Sequence, residues 1–385
     1  MKPIQTVLRE NGIRLLVSAE KTLCEATHGK LTPRYTPGRI QMDKVGTCVR
    51  ILEKNDSETF IAKFDKNGNI SRDDFVILAT TDLHFEDDVA LRDKTYQMLA
   101  RHIMDVKPDL VVFTGDIILS NHQQIDAVRF ARMMEELGVY WAFVFGNHEA
   151  RAEKEYHKYF LLKNMAQYPH CLTKFGPPDL FGYGNFFVHI LDEPDHIRQS
   201  LVFFDSGRDI TEPYRTQDKI PADVRGYDYL KKNQMRFYKS RLSALRNTYG
   251  DFKSMMFFHI PLPEFADAFD LNENGDYIPS GKTEILYGGM YESVGCSQIN
   301  SGMFDLIREL GSTQAVFCGH DHVNDFCAVN QGIHLVYVQC GGYETYTMAD
   351  KKGWDEKDWM QGATQITLHS DGGFSLEQRF NRDYL

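Results

Sequence analysis

The sequence predicts an α/β fold built on a largely parallel sheet. Three short apolar runs, rich in β-branched and aromatic residues and followed by polar residues or glycine, are typical of buried strands: residues 75–81, 110–114 and 140–145. Two segments with helical apolar spacing lie between them, at 91–103 and 125–137. The order β-α-β-α-β favours parallel strands with helices packed on the sheet faces.

The remainder of the chain continues this pattern. A helix is predicted over 229–246, and further strands over 185–190, 201–204, 254–258, 314–318, 333–339 and 363–368. The first 74 residues carry a weaker signal, in which 59–64, the Asn67-Gly68 turn and residue 75 onward could form a strand, a turn and a strand. We predict a β-rich N-terminal extension, residues 1–74, packed on or continuous with a catalytic domain, residues 75–385.

Composition excludes several classes of function. The 385 residues carry a formal charge of -11, which lacks the basic footprint of proteins that bind nucleic acid or anionic membranes, so we expect neither as a partner. No stretch approaches the roughly 20 apolar residues that span a bilayer. The seven cysteines are odd in number, scattered and without a C-x-x-C pair, which favours reduced thiols and a cytoplasmic location.

Metal-ligating residue types follow five of the predicted strands. Open α/β sheets form their ligand crevices at the carboxyl ends of strands, so these residues are expected to converge. In the H-x-H pair, an extended backbone would let both imidazoles project to one side. In chain order the motifs are Asp82-Leu83-His84, Gly115-Asp116, Gly146-Asn147-His148-Glu149, His259 and Gly319-His320-Asp321-His322.

Each motif has an ordinary interpretation when taken alone. D-x-H and Gly-Asp also occur as polar turns, and Gly-Asn-His-Glu could be a helix start with Asn147 as its N-cap. His259 alone reads as a core histidine hydrogen-bonded at a strand end. The ordered set of five, each after a strand signal, decides for a shared site, because the independent ordinary readings would all have to coincide.

In order and spacing, these motifs resemble those of the calcineurin-like metallophosphoesterase superfamily over residues 76–323. The segments 204–207, 226–229, 258–264 and 318–325 resemble its purple-acid-phosphatase-like branch. The resemblance implies a four-layer α/β/β/α sandwich with two central mixed sheets. One position departs: purple acid phosphatases proper carry a tyrosine three residues after the second-strand aspartate, where this chain has Leu119, so iron is not implied as the obligatory first metal.

The resemblance also implies a ligand set for two metal ions. Carboxylate, imidazole and amide donors without thiolate suit manganese, iron or zinc, and two such ions can activate water against a phosphate ester. The implied first-metal ligands are Asp82, His84, Asp116 and His322, and the second-metal ligands are Asp116, Asn147, His259 and His320, with Asp116 bridging the two ions.

Other residues near the motifs receive supporting roles. The resemblance suggests that His148 contacts phosphate and protonates the leaving group. Glu149 could orient His148, although a first-turn helix residue favoured by the macrodipole is the preferred reading. Asp205 and Asp321 are expected to fix loops or bind ligand histidines, and Arg151 could reach a phosphate or lie solvated on a helix.

The sequence therefore predicts metal-dependent hydrolysis of a phosphate mono- or diester, with a phosphorylated small molecule or phosphoprotein as substrate. The alternative is a catalytically silent relative that binds a phosphorylated ligand or partner. A metal-dependent amidohydrolase would place H-x-H after the first barrel strand, where this chain has Asp82-x-His84. Two loop-rich segments, 206–225 and 261–300, are predicted to select the substrate. Within the second, residues 270–276 begin like an EF-hand loop but lack its glutamate, and are interpreted as a polar surface loop.

Overall fold

The computed structural model describes residues 45–149, 156–356 and 359–384, so the predictions for residues 1–44 and for Arg151 lie outside the described residues. The strands, β1 to β16, are Val49–Lys54, Glu58–Lys63, Phe75–Thr80, Leu110–Phe113, Tyr140–Phe143, Phe186–Glu193, His196–Phe203, Lys253–Phe257, Phe269–Leu271, Tyr277–Pro279, Glu284–Tyr287, Thr313–Cys318, Cys327–Asn330, Ile333–Tyr337, Gly362–Leu368 and Phe374–Phe380. The helices, α1 to α7, are Val89–Val106, Gln123–Leu137, Tyr156–Met165, Tyr214–Gln217, Lys232–Tyr249, Met303–Leu310 and Met348–Lys352. Short 3-10 helices cover Pro263–Ala268 and Asn381–Tyr384.

Two mixed sheets carry the fold. One has the order β16-β15-β3-β4-β5, in which β3, β4 and β5 are parallel as predicted and β15 runs antiparallel to β3. The other has nine strands in the order β1-β2-β6-β7-β8-β12-β14-β13-β11. The strands β7, β8, β12 and β14 are mutually parallel within it. The predicted α/β class with two central mixed sheets is confirmed.

A core of alternate strand residues joins the two sheets. Successive side chains of a strand point to opposite faces, so every second residue of each sheet faces the other sheet. Ile77 on β3 and Phe257 on β8 belong to the buried cluster formed in this way. Phenylalanine rings stack across four neighbouring strands, with Phe203 4.4 Å from Phe186 and 5.2 Å from Phe257, and Phe317 4.8 Å from Phe257 (distances between ring centroids). This packing holds the carboxyl ends of β8 and β12 against those of β3 and β4.

The outer faces of both sheets are covered by helices. On the nine-stranded sheet, Met256 and Phe258 pack in a cluster with Tyr238 and Leu242 of α5. On the five-stranded sheet, the ring of Phe130 in α2 meets Phe113 of β4 and Trp141 of β5 edge to face, at 5.0 and 5.4 Å between ring centroids. Helix, sheet, sheet and helix are thus stacked in four layers.

The predicted strand, turn and strand are present between residues 58 and 80, but the two strands do not pair with each other. Strand β2 pairs with β1 and, in parallel, with β6, whereas β3 lies in the other sheet. The chain does turn at Asn67-Gly68, but only a single bridge, Phe64 to Ile70, closes that turn. The side chains of β2 are buried by the nine-stranded sheet, and this tertiary burial decides its partner over the local turn signal.

Several elements had no clear sequence signal. Strands β9, β10, β11 and β13 and helix α6 are each three to eight residues long, too short for periodicity to show. Strands β9 and β10 form a hairpin around the EF-hand-like segment, where Asn272 Oδ1 accepts hydrogen bonds from its own turn, so the polar surface loop was read correctly. Within the described ranges, no helix combines the length and apolar character needed to cross a bilayer.

Candidate metal centre

The five predicted motifs meet where the two sheets abut. Three of the motifs follow β3, β4 and β5 of the five-stranded sheet, and the other two follow β8 and β12 of the nine-stranded sheet. Since these strands all end at the same edge, their loops share one buried space. All of the predicted metal-ligating residues reach it: Asp82, His84, Asp116, Asn147, His259, His320 and His322.

The backbone bends sharply at four of these residues. Asp82, His84, Asp116 and His320 have φ of 51°, 46°, 49° and 80°, in the left-handed region that aspartate and histidine tolerate better than most side chains. Residues held in this region recur at functional sites, where the surrounding fold must enforce the conformation. His320 therefore enters the site through a left-handed turn after β12 ends at Cys318, and the extended backbone predicted for the H-x-H pair is wrong.

Two motif glycines allow the loops to approach each other. A Cβ atom at Gly146 would lie 2.0 Å from Asp116 Oδ1, and one at Gly319 would lie 2.0 Å from Thr81 Oγ1. Both distances are far inside van der Waals contact, so a larger residue would push the loops apart. Glycine in these motifs is explained by close packing around the carboxylates.

Six of the predicted ligands form two groups of three, in which the potential donor atoms lie within 4.8 Å of one another. In the first group, Asp82 Oδ1 lies 3.4 Å from His84 Nε2 and 3.3 Å from His322 Nε2. We call it the first ligand group. Its members are enclosed, since each side chain is at most 7% exposed.

The second ligand group contains Asp116, His259 and His320. His259 Nε2 lies 3.2 Å from Asp116 Oδ2 and 3.3 Å from His320 Nδ1. Asn147 joins this group, because its Oδ1 is 3.0 Å from His259 Nε2.

Asp116 lies between the two groups. Its Oδ2 is 3.2 Å from His259 Nε2 on one side and 3.6 Å from His84 Nε2 on the other. Its Oδ1 accepts a 2.8 Å hydrogen bond from the backbone N–H of His148. Within the described part of the chain, no hydrogen bond of good geometry reaches the buried Oδ2, whose neighbours are these imidazole nitrogens. A buried carboxylate oxygen surrounded by imidazole nitrogens is the atom that a pair of cations would share.

Contacts behind the rings set their orientation. His259 Nδ1 donates a 2.8 Å hydrogen bond to the carbonyl of Thr114, which orients the ring so that Nε2 faces Asp116. His322 Nδ1 is hydrogen-bonded to Thr345 Oγ1, and the Tyr346 ring stacks on His322 with 4.2 Å between ring centroids. Thr345 and Tyr346 lie in the loop before α7, and the sequence analysis missed them because no motif marks that loop.

The carboxylates and imidazoles of the two ligand groups shift each other's pKa values. Burial alone would raise the pKa of Asp82 and of Asp116, but the facing imidazoles, His259 foremost, hold both pKa values below the ordinary range. Burial would lower the pKa of His259, yet these two carboxylates raise it to about 10. Burial and the nearby His259 lower the pKa of His320 to about 3. One proton held on His259 is thus the counter-charge to two carboxylates, a position that cations can take over.

Glu149 connects two loops of the site. Its buried carboxylate accepts hydrogen bonds from the backbone N–H groups of Asp116, Ile117, Ile118 and Gly146, at 2.5 to 3.2 Å. Burial and the charge of Asp116 raise the pKa of Glu149 to about 7. Glu149 therefore ties the loop after β4 to the loop after β5, and these contacts do not orient the His148 ring. The other prediction, a residue in the first turn of a helix, involves residues 150–155, which lie outside the described residues.

His148 lies at the rim of the site. Its side chain is 31% exposed, and its Nε2 is 3.8 Å from Asp116 Oδ2. The carbonyl of His148 accepts a 2.9 Å hydrogen bond from Gln123 Nε2, which fixes the backbone while the ring faces the opening.

The two other aspartates fix loops. Asp205 accepts hydrogen bonds from Lys158, Tyr183 and Gly207. Asp321 accepts from the backbone N–H of Gly295 at 2.9 Å and from the Tyr337 hydroxyl at 2.5 Å. Of the two roles predicted for these residues, the hydrogen bonds described here correspond to the fixing of loops.

The model of the calcineurin-like phosphoesterase family matches residues 75–324, which include all five motifs. The chain belongs to the calcineurin-like phosphoesterase family. The match ends before Thr345 and Tyr346, so these contacts to His322 come from outside the family-defining region. Leu119, at the position of the purple tyrosine, is a buried core residue, so no tyrosine side chain enters the site there.

Relatives in this family carry both active and inactive names. "Probable inactive purple acid phosphatase 29" of Arabidopsis thaliana is 28% identical over 331 residues, 77% of each chain. "Phosphatase DCR2" of Saccharomyces cerevisiae is 32% identical over 61% of this chain, which spans 39% of that longer protein. The crystal structure of a dimetal phosphatase from Danio rerio shares the fold with a TM-score of 0.50 at 15% identity, covering 80% of this chain and 96% of that one.

Proposed function

We propose that this protein hydrolyses a phosphate mono- or diester with the help of two metal ions, drawn from manganese, iron and zinc. The first ion would be held by Asp82, His84, Asp116 and His322. The second would be held by Asp116, Asn147, His259 and His320. The substrate would be a phosphorylated small molecule or phosphoprotein. The family supports the reaction class, and the choice among metals follows from nitrogen and oxygen donors without thiolate.

The single observation that carries the proposal is the position of Asp116 Oδ2. This buried oxygen lies between the two ligand groups, and among the described residues it has imidazole nitrogens as neighbours but no hydrogen bond of good geometry. An unsatisfied buried carboxylate oxygen is costly unless something positive occupies the space in front of it. Two cations would supply that charge and, when bound, would polarise the phosphate and activate water.

The chain's own residues perform the remaining tasks. The carbonyl of Thr114 and the hydroxyl of Thr345 hold two of the ligand imidazoles in orientation. His148, partly exposed and close to Asp116, would contact the phosphate and give a proton to the departing oxygen. Glu149 keeps the β4 and β5 loops at the spacing that brings Asp116 and Asn147 together.

A second candidate is a silent member of the family that binds a phosphorylated ligand without hydrolysis. The names of the Arabidopsis thaliana relatives favour it. Against it, every predicted ligand position in this chain retains a donor side chain, and the side chains are gathered in two groups.

The test is reconstitution of the purified chain with manganese, iron or zinc, followed by assays on phosphomonoesters, cyclic nucleotides, other diesters and phosphopeptides. We expect metal-dependent turnover of at least one class, abolished by a chelator and restored by metal, while the circular dichroism of the folded domain persists. Binding of about two ions per chain with no turnover of any class would favour the silent candidate. Failure to bind metal would overturn the proposed hydrolysis.

A further inference from the structure

A cavity of about 890 Å³ is walled by α3, α4 and the loops around β6 and β7. This volume lies in the range typical of small-molecule sites. Five aromatic side chains line it, and each is partly exposed, unlike the fully buried rings of the core. They are Tyr159, Phe175, Phe181, Tyr183 and Tyr214. Apolar surface left open within a concave wall is characteristic of a ligand site.

The aromatic rings are held by each other. Tyr159 contacts Phe175 and Tyr183, at 5.2 and 6.0 Å between ring centroids. Phe181 meets Tyr214 edge to face at 5.0 Å. The Lys231 ammonium, 5.0 Å from the ring centroids of Phe181 and Tyr214, adds a cation–π contact to this second set. The wall is therefore already organised before a ligand enters.

Charges around the cavity are matched in pairs. Lys158 Nζ lies 2.8 Å from Asp205 Oδ1, with both side chains buried, and Arg208 Nε lies 2.9 Å from Asp209 Oδ2. Asp228 is paired with Lys231. Because each of these charges has an opposite charge beside it, the cavity favours an uncharged group over a second ion.

Two contacts connect the cavity to the second ligand group. Lys158 Nζ lies 5.5 Å from the ring centroid of Phe145, two residues before Asn147. Asp209 forms a backbone bridge to Tyr227, whose ring contacts that of His320 at 4.3 Å between centroids.

A third contact comes from the loop after β7. The backbone N–H of Ile260, next to His259, donates a 3.0 Å hydrogen bond to Ser206 Oγ. Asp205 and Gly207, on either side of Ser206, line the cavity. A ligand with its phosphate at the metal centre would thus have the cavity as a neighbouring space for the rest of the molecule.

We propose that this cavity holds an uncharged aromatic ring carried by the phosphate ester, so that the preferred substrates are arylalkyl or nucleoside phosphates. The inference rests on the proposed function, because the phosphate group is taken to lie at the metal centre. It names the substrate class, which the metal ligands themselves leave open.

The first test compares two non-hydrolysable ligands on the manganese-reconstituted chain by titration calorimetry. Benzylphosphonate and cyclohexylmethylphosphonate carry the same charge and similar bulk, and they differ in aromaticity. We expect benzylphosphonate to bind about 2- to 10-fold more tightly, the effect of a ring–ring contact beyond apolar burial. Equal dissociation constants, or no binding of either ligand, would overturn the inference.

Variants assign the preference to the cavity. Phe181→Leu keeps apolar bulk and removes the ring, and should bring the two dissociation constants within about 2-fold of each other. Phe181→Ala should act in the same direction. Phe374→Leu is the matched control, since Phe374 is also a partly buried phenylalanine but lies on β16, outside the cavity. An unchanged preference in Phe181→Leu, or an equal loss in Phe374→Leu, would contradict the assignment.

Turnover separates this inference from the proposed function. Adenosine 5′-monophosphate and ribose 5-phosphate share a primary alcohol leaving group, as do benzyl and cyclohexylmethyl phosphate, so any difference within a pair reflects the ring. A higher kcat/KM for one aromatic member, or for both, tells which source the cavity accepts. Hydrolysis without preference in either pair would overturn the inference and leave the function standing. A binding preference without hydrolysis of any ester would overturn the proposed hydrolysis and leave the ring-binding role of the cavity standing.

Discussion

Two clusters in this molecule contain buried carboxylates, and their negative charge is balanced in different ways. On β2, Glu58 accepts a paired hydrogen bond from Arg241, with Nη2 2.7 Å from Oε1 and 2.8 Å from Oε2. At the candidate metal centre, Asp82 and Asp116 face imidazoles and no lysine or arginine among the described ion pairs. The first cluster contains a permanent cation, whereas the second relies on a proton that His259 can release.

This difference distinguishes a cluster with a structural role from a candidate site for chemistry. Glu58 also contacts His189, whose Nδ1 is 2.6 Å from Ser200 Oγ, so the three residues are connected like a serine-histidine-acid triad. All three are buried at 4% exposure or less, so no substrate can reach the serine. The presence of a complete internal charge balance identifies the Glu58 cluster as a packing device. At the candidate metal centre, the described residues lack such a permanent cation, and the proposed metal ions would supply the balancing charge.

Loss of the shared carboxylate should have the largest effect. We expect Asp116→Asn to lower turnover more than about 100-fold, because even outer partners of metal ligands typically affect metal affinity or activity 10- to 100-fold. Added manganese should stabilise the wild-type chain against unfolding but give this variant little protection, since the gain depends on binding to the folded state. Metal analysis, kinetics and thermal unfolding with and without manganese measure these effects. Two tightly held ions with near-normal turnover would refute the bridging role.

Replacement of His148 should have different effects from replacement of a ligand histidine. We expect His148→Ala to retain both metals and to slow esters with high-pKa leaving groups roughly 100-fold or more, since these need the proton most. Activated aryl phosphates should be slowed less. His259→Ala should instead lose metal and slow all substrates together. Metal content and kcat/KM across a leaving-group series distinguish the two patterns. If His148→Ala loses metal as readily, then His148 is a ligand or a structural residue.

A smaller effect is expected behind the first ligand group. Thr345→Val removes the hydroxyl that hydrogen-bonds His322 Nδ1 and should weaken manganese binding about 10-fold, because outer partners orient ligand imidazoles. Thr345→Ser, which retains the hydroxyl, should restore most of the affinity. Direct titration with manganese measures this without reference to turnover. Equal affinities in the valine and serine variants would exclude a positioning role for the hydroxyl.

The Glu58 cluster should respond in the opposite way. We expect Glu58→Gln to lower the free energy of unfolding by about 1–3 kcal/mol, since Arg241 loses its charged partner at a partly buried site. Turnover and metal content should stay within 2-fold, roughly the spread of an unperturbed site. Chemical denaturation and steady-state kinetics measure the two quantities. A fall in activity without a fall in stability would erase the distinction between the clusters.

The stability effect of Glu58→Gln should depend on pH. Burial would raise the pKa of Glu58, but hydrogen bonds from His189 and Arg241 lower it from 4.5 to about 2. A depressed folded-state pKa contributes stability above the unfolded value and loses it as pH falls through the folded value. The stability difference between wild type and Glu58→Gln should therefore be full above pH 4.5 and should shrink toward pH 2. A difference independent of pH across that window would show that the ionised carboxylate is not the stabilising species.

Much of the five-stranded sheet and its helices could be predicted from local pattern. Strands β3, β4 and β5 and helices α1 and α2 follow the predicted segments to within three residues at each end, because continuous apolar runs and helical spacing carry strong signals. The pairing of β2 could not be predicted, since its partner β6 is more than 120 residues away. The same holds for Glu149, whose four backbone partners lie in two loops that meet only in the folded chain.

The sequence by itself determined the kinds of donor and the strand ends that carry them, because these depend on residue type and local periodicity. Tertiary structure alone decided how the donors divide into two groups and which atom they share. Neighbouring His320 and His322 serve different groups, since the chain turns left-handed between β12 and the site. The sequence also did not predict the cavity or the contacts that Thr345 and Tyr346 make to His322. Their side chains come from loops that only the packed sheets bring together.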